Sequence, residues 1–216
     1  MEDLEMKKLV ICASIFFIVI ITAQVFAADP TKGTLRMSGD NTWEAYIDGE
    51  KAGEGVDWQR VGLYEFTIKG GSFTVAVHIH DAEPGASGVG GFLADIVLDN
   101  KVYIATGDKD NTKVQTWKCS DDIGYMKNKD WINPKFDDNK WMEPTLYEQF
   151  GAGVWGFGAG AMKASGLQDP DCKAFWCWAG PNNVADEVFF RYSFGNKLAV
   201  ESGGKLTTTW ASIKAR

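Results

Sequence analysis

With 216 residues, 45% of them hydrophobic, and 22 basic against 29 acidic side chains, the chain carries a net charge of −7. This content supports a packed core and argues against low-complexity disorder. The acidic balance argues against nucleic acid as a partner, because phosphate contacts need a basic surface.

The first thirty residues stand apart. Met6-Lys7-Lys8 is a short basic start, an apolar run covers Leu9 to Ile21, and small or branched residues lead to a cut after Ala27. That order is the pattern of a secretory signal peptide over residues 1–27. Glu2, Asp3 and Glu5 fit such a leader poorly and make Met6 the alternative start. The rival reading is an uncleaved anchor, since Leu9 to Ala28 is about 20 residues, just enough to span a bilayer. Thr22 and Gln24 weaken its end and no basic stop-transfer cluster follows, so cleavage is favoured. The expected mature chain has 20 basic and 26 acidic residues, a charge of −6, no transmembrane span and a secreted or periplasmic location.

From Thr34 to Cys119 short strands alternate with turn residues. In Thr42 to Asp48, "TWEAYID", Trp43, Ala45 and Ile47 share one face and Glu44, Tyr46 and Asp48 the other. "LYEFTIK", "SFTVAVHIH", "GFLADIVLD" and "KVYIAT" follow, separated by turn signals at Asp48-Gly49, Gly70-Gly71, Asp99-Asn100 and Gly107-Asp108. Strands at this spacing without helices between them predict an antiparallel sandwich or barrel. Glycine-rich "GEKAGEGVDW" is not a phosphate loop, because no helix opens after Gly55. Asp48-Gly49 has the signature of a two-residue hairpin turn.

About residues 120–181 the composition shifts to Gly, Asn, Asp, Pro and Trp, which predicts a long loop-rich insertion with one short helix near Thr145 to Phe150. "EVFFRYSF" returns to strand alternation, and residues 202–216 form a last strand or a tail. Cys12 leaves with the leader. Cys119, Cys172 and Cys177 remain, an odd number that predicts one disulfide and one free thiol in an oxidising compartment. Cys119 with Cys172 or Cys177 is favoured and Cys172 with Cys177 is the local alternative. No second cysteine pair at ligand spacing supports zinc.

Five segments together carry a family resemblance. "DNTWEAYIDGEKAGEG" resembles the aromatic-aliphatic hairpin of galactose-binding-like β-sandwich modules, which accompany glycoside hydrolases of the α-L-rhamnosidase and β-galactosidase types. "SFTVAVHIHD", "GGFLADIVLDN" with Trp117, "KFDDNKW", and "FWCWAG" with "VFFRYSF" resemble further strands and turns of that family. In the family the last of these comes first, so the resemblance implies a circular permutation, with Val188 to Phe194 beside Thr34 to Ser38 or the following strand. Termini that lie close together tolerate such a rearrangement. The expected fold is all-β, an antiparallel jelly-roll sandwich over residues 28–201. The expected function is non-catalytic carbohydrate binding through end loops.

The resemblance singles out Asp40 and Asn41, an Asp-Asn pair that in rhamnose-binding relatives is associated with calcium and sugar hydroxyls. Oxygen ligands suit calcium, so calcium is the candidate ion; a turn capping a strand explains the same residues. Trp58 and Trp117 are candidate sugar platforms, with burial as the alternative, whereas Trp43, Trp176 and Trp178 are expected to be structural. His78 and His80, the only histidines, share a strand face and have Asp81 and Glu83 nearby, yet a third metal ligand is not identifiable. Asp137, Asp138 and Asn139 read as a surface turn pinned by Phe136 and Trp141 rather than as a calcium loop. No paired carboxylates, nucleophile elbow or HExxH supports catalysis, so no enzymatic activity is expected. A structural or protein-interaction module of the envelope or matrix is the alternative function, and a glycan-active enzyme the third.

Overall fold

A computed structural model describes residues 32–82, 88–108, 117–167 and 172–195. The expected leader, Glu83 and the 202–216 segment lie outside them. The described chain is an all-β sandwich of two antiparallel sheets. The first sheet runs β4 (Gly62–Thr67), β1 (Lys32–Asp40), β6 (Gly91–Leu98), β10 (Phe175–Trp178), β9 (Thr145–Gln149), with β7 (Lys101–Ala105) also on β6. The second runs β3 (Glu50–Gly55), β2 (Thr42–Ile47), β5 (Phe73–His80), β11 (Glu187–Phe194), β8 (Lys118–Ser120). No helix among the described residues is long and apolar enough to cross a membrane.

Turn chemistry sets the strand order locally. Asp48 and Gly49 both take positive φ, 52° and 87°, as a two-residue hairpin turn requires. Asp48 also ties the tip to β5, since its Oδ1 accepts the Thr74 N–H at 2.8 Å. Gly70-Gly71, Asp99-Asn100 and Gly107 likewise sit at positive φ where turns are expected. Alternation then places Leu35 and Met37 of β1, Trp43 and Ala45 of β2, Val75, Val77 and Ile79 of β5, and Val188 and Phe190 of β11 in the space between the sheets.

Both outer faces are covered as well. On the second sheet, residues 121–142 lay Trp131 and Trp141 over Tyr46, Ala76 and Phe189. Tyr46 is therefore buried although it points away from the sandwich core. On the first sheet, the segment after β9 packs Trp155, Met162 and Leu167 against Leu93, Ala105 and Trp176. Coverage on both sides explains why β6 reads as a nearly continuous apolar run: all eight of its residues are buried.

Four expectations are corrected. Thr145 to Phe150 holds a strand instead of a helix, because β10 offers it a partner through Leu146 opposite Cys177. A run this short does not separate the two states by periodicity. The helix α1 (Ala159–Ser165) comes later and stops at Gly166, whose φ of 146° suits glycine. The insertion is thus partly sheet, since it contributes β9 and β10. Val188 to Phe194 pairs with neither β1 nor β2; it belongs to β11, which lies on β5 over all eight of its residues, Glu187 to Phe194, and on β8, and β2 takes the opposite edge of β5. Finally, Cys119, Cys172 and Cys177 are free thiols. Cys119 and Cys177 face the shared core from opposite sheets, and burial pushes the Cys119 thiol up to about 12.

Candidate functional site: an aromatic surface on the first sheet

Trp58 stands on a tight turn between β3 and β4. Asp57 Oδ1 accepts the Gln59 N–H at 3.0 Å, and the Arg60 N–H reaches the Asp57 carbonyl at 2.9 Å, closing the turn. Two remote tethers hold it. Ser38 Oγ of β1 donates to the Trp58 carbonyl at 2.5 Å, and Ser165 Oγ at the end of α1 accepts the Val61 N–H at 3.1 Å.

The indole of Trp58 meets Trp176 edge-on, with centroids 6.1 Å apart, and Phe157 edge-on at 5.1 Å. Behind them Trp155 stacks flat on Trp176 at 4.5 Å. Glycine makes this approach possible at two places. A Cβ on Gly158 would strike the Trp58 ring, and one on Gly91 would strike both Trp155 and Trp176. Trp155 and Trp176 are buried and Trp58 is half-buried, while Phe157 is 78% exposed. The result is an aromatic surface with a rigid floor and an open face.

Asp40 joins the floor. Its Oδ2 accepts the Trp155 Nε1–H at 2.9 Å, so the Asp40 carboxylate and Trp58 touch opposite ends of one tryptophan pair. The Asp40–Asn41 peptide is cis. Asn41 Oδ1 accepts the Ala82 N–H at 2.6 Å, pinning the start of the next loop. Both side chains thus have structural hydrogen-bonding tasks. Trp117 lies elsewhere: it is 3% exposed, packed between Phe92 and Tyr192 in the sandwich core, and has no face open to a sugar. Trp43, Trp176 and Trp178 are buried, as expected.

Beneath the same cap, Arg36 of β1 and Asp95 of β6 form a two-pronged pair at 2.6 Å on each arm, fully out of solvent. Burial pushes the Asp95 carboxyl up while Arg36 pulls against it, and the Cys172 thiol also bonds to this carboxyl. Burial, with Asp95 beside it, pushes Cys172 up to about 12, which makes it a poor nucleophile. On the other face, Asp138 is not a surface residue. It is 4% exposed and accepts from Arg191 Nε at 3.2 Å and Lys118 Nζ at 3.3 Å, because the turn folds inward over β11.

Comparison with family models, curated proteins and solved structures finds no match.

Phe157 and Trp155 were missed as site residues by the reading of the sequence. Their signal was present in "GAGVWGFGAG", where glycine alternates with large rings. Without a partner in view, such a pattern reads as loop.

Proposed function

We propose that this chain is a carbohydrate-binding module of a secreted or periplasmic protein, holding sugar on the Trp58–Phe157 surface without catalysing a reaction. The carrying observation is the half-buried Trp58, fixed edge-on to the exposed Phe157 at 5.1 Å on a turn tethered to both β1 and α1. A pyranose offers C–H groups that lie on an indole face. Asp57, Gln59 and Arg60 on the same turn offer hydrogen-bonding groups for hydroxyls. A turn fixed before binding lowers the ordering cost that weakens flexible sites. The resemblance to galactose-binding-like modules supports the same reading, with Trp58 retained as platform, Trp117 set aside and Asp40 serving the floor.

A glycan array with and without chelator tests this. The expected result is a sugar signal that Trp58→Ala and Phe157→Ala each lower at least about ten-fold with the fold intact. A signal lost on chelation would bring calcium and the Asp40–Asn41 pair back in. No signal under either condition would defeat the proposal. A protein-interaction module is the second reading, favoured by Val56 and Val154, 79% and 54% exposed in the two segments that carry Trp58 and Phe157.

A further inference from the structure

His78 and His80 lie on the outer face of β5, and they are the only histidines in the chain. Residues two apart on a strand project to the same side, with Cα atoms about 6.6 Å apart. The third partner comes from β11. Glu187 stands directly opposite His80 in the ladder and diagonal to His78. Its carboxylate reaches both rings: Oε2 is 2.6 Å from His78 Nε2 and Oε1 is 3.0 Å from His80 Nδ1. His80 Nδ1 is shielded from solvent, yet it lacks the geometry of a hydrogen bond.

We propose that His78, His80 and Glu187 form a binding site for one divalent transition-metal ion of the zinc or copper class. Two imidazoles and one carboxylate are a donor set that such ions favour and that calcium and magnesium do not. The surroundings are partly built. Phe189 stacks on the His78 ring at 4.8 Å and 16° and holds its plane. The neighbouring carboxylate of Glu44, opposite His78 on β2, is held instead by Lys51 at 2.9 Å and by Tyr46 at 2.9 Å. It does not compete for the rings. His80 is 42% exposed, which leaves an entry side.

The carboxylate lies between the rings, and no group of three or more His, Cys, Asp or Glu among the described residues is already arranged to hold a metal ion. Metal–donor distances near 2.0–2.2 Å require the Glu187 carboxylate to pivot and the exposed His80 ring to turn. The backbone need not move, because β5 and β11 stay paired in register.

The test is a zinc titration of untagged protein carrying 15N-histidine, followed by NMR. Every imidazole signal must come from His78 or His80, because no other histidine exists in the chain. The expected result is that both rings shift and saturate at one equivalent of zinc. In competition with a chromophoric chelator, Glu187→Gln should weaken binding at least about ten-fold with the backbone amide spectrum retained. Imidazole signals unmoved by millimolar zinc would overturn the proposal, and so would zinc taken up by the thiols alone. Equal affinity of Glu187→Gln and the unaltered chain would remove Glu187 and leave the site without its third ligand, which also overturns it. The ring shifts need no variant, so a Glu187→Gln chain that fails to fold leaves a decisive measurement.

Discussion

The two outer faces of the sandwich are both covered by tryptophan-bearing segments, but by different chemistry. On the second sheet, Trp131 and Trp141 are locked down by a buried charge: Arg191 bonds to Asp138 and to the Trp131 carbonyl, and its guanidinium lies over the Phe136 ring at 5.2 Å. On the first sheet, the cap is held by ring contacts and by the Trp155–Asp40 and Ser165–Val61 hydrogen bonds; the buried Arg36–Asp95 pair beneath it belongs to strands β1 and β6, not to the cap. The charge-pinned cap buries both of its tryptophans, whereas the ring-pinned cap leaves Phe157 and part of Trp58 in solvent. A buried ion pair demands enclosure, since exposing or unpairing it is costly. Aromatic edges carry no such demand, so a surface built from them can remain open.

The largest expected effect breaks the charge-pinned cap. Asp138→Ala strands a buried guanidinium and should destabilise the fold by about 3–5 kcal/mol in chemical denaturation. The double variant Asp138→Ala/Arg191→Met should recover much of that loss, since an apolar pair needs no counter-charge. If the single variant costs nothing, the contrast between the caps fails. A smaller effect belongs to the ring-pinned cap. Trp155→Phe keeps a ring over Trp176 but removes the N–H to Asp40, at about 2 kcal/mol in the same assay. Limited proteolysis should then cut first near residues 150–167, not 121–142.

The smallest effect is a pH dependence at the edge of the second cap. The Lys51 hydrogen bond, followed by the Tyr46 hydroxyl and the Lys129 charge, holds the Glu44 carboxyl at about 2, below its ordinary 4.5. A lowered carboxyl contributes stability that is complete above about pH 4.5 and is lost as pH falls through 2. Because the pair is largely solvated, the loss should stay below about 1 kcal/mol. Thermal melts from pH 5 to pH 2 should show it, and Glu44→Gln should remove that component.

Much of the sandwich was legible in the chain because its signals are local. The Asp48-Gly49 and Asp99-Asn100 turns and the alternation of Trp43, Ala45 and Ile47 depend on residues within a few positions of one another. The site was legible only in part. Trp58 could be picked out as a lone tryptophan after a glycine-rich strand, but its exposure depends on Phe157, Gly158 and Trp176, about a hundred residues away. Trp117 is a sugar-platform candidate by the same family resemblance and is buried, because Phe92 and Tyr192 close over it.

By itself the sequence determined the strand content, the hairpin turns and the acidic, histidine-poor character of the chain, since these rest on backbone preference and composition. Only the tertiary structure decided that β11 lies on β5, that Thr145 to Gln149 becomes a strand, that the three thiols are unbonded to one another, and that Glu187 reaches both histidines. Each of these depends on which distant segment supplies a hydrogen-bonding edge or a counter-charge. A short run of residues carries no record of its partner.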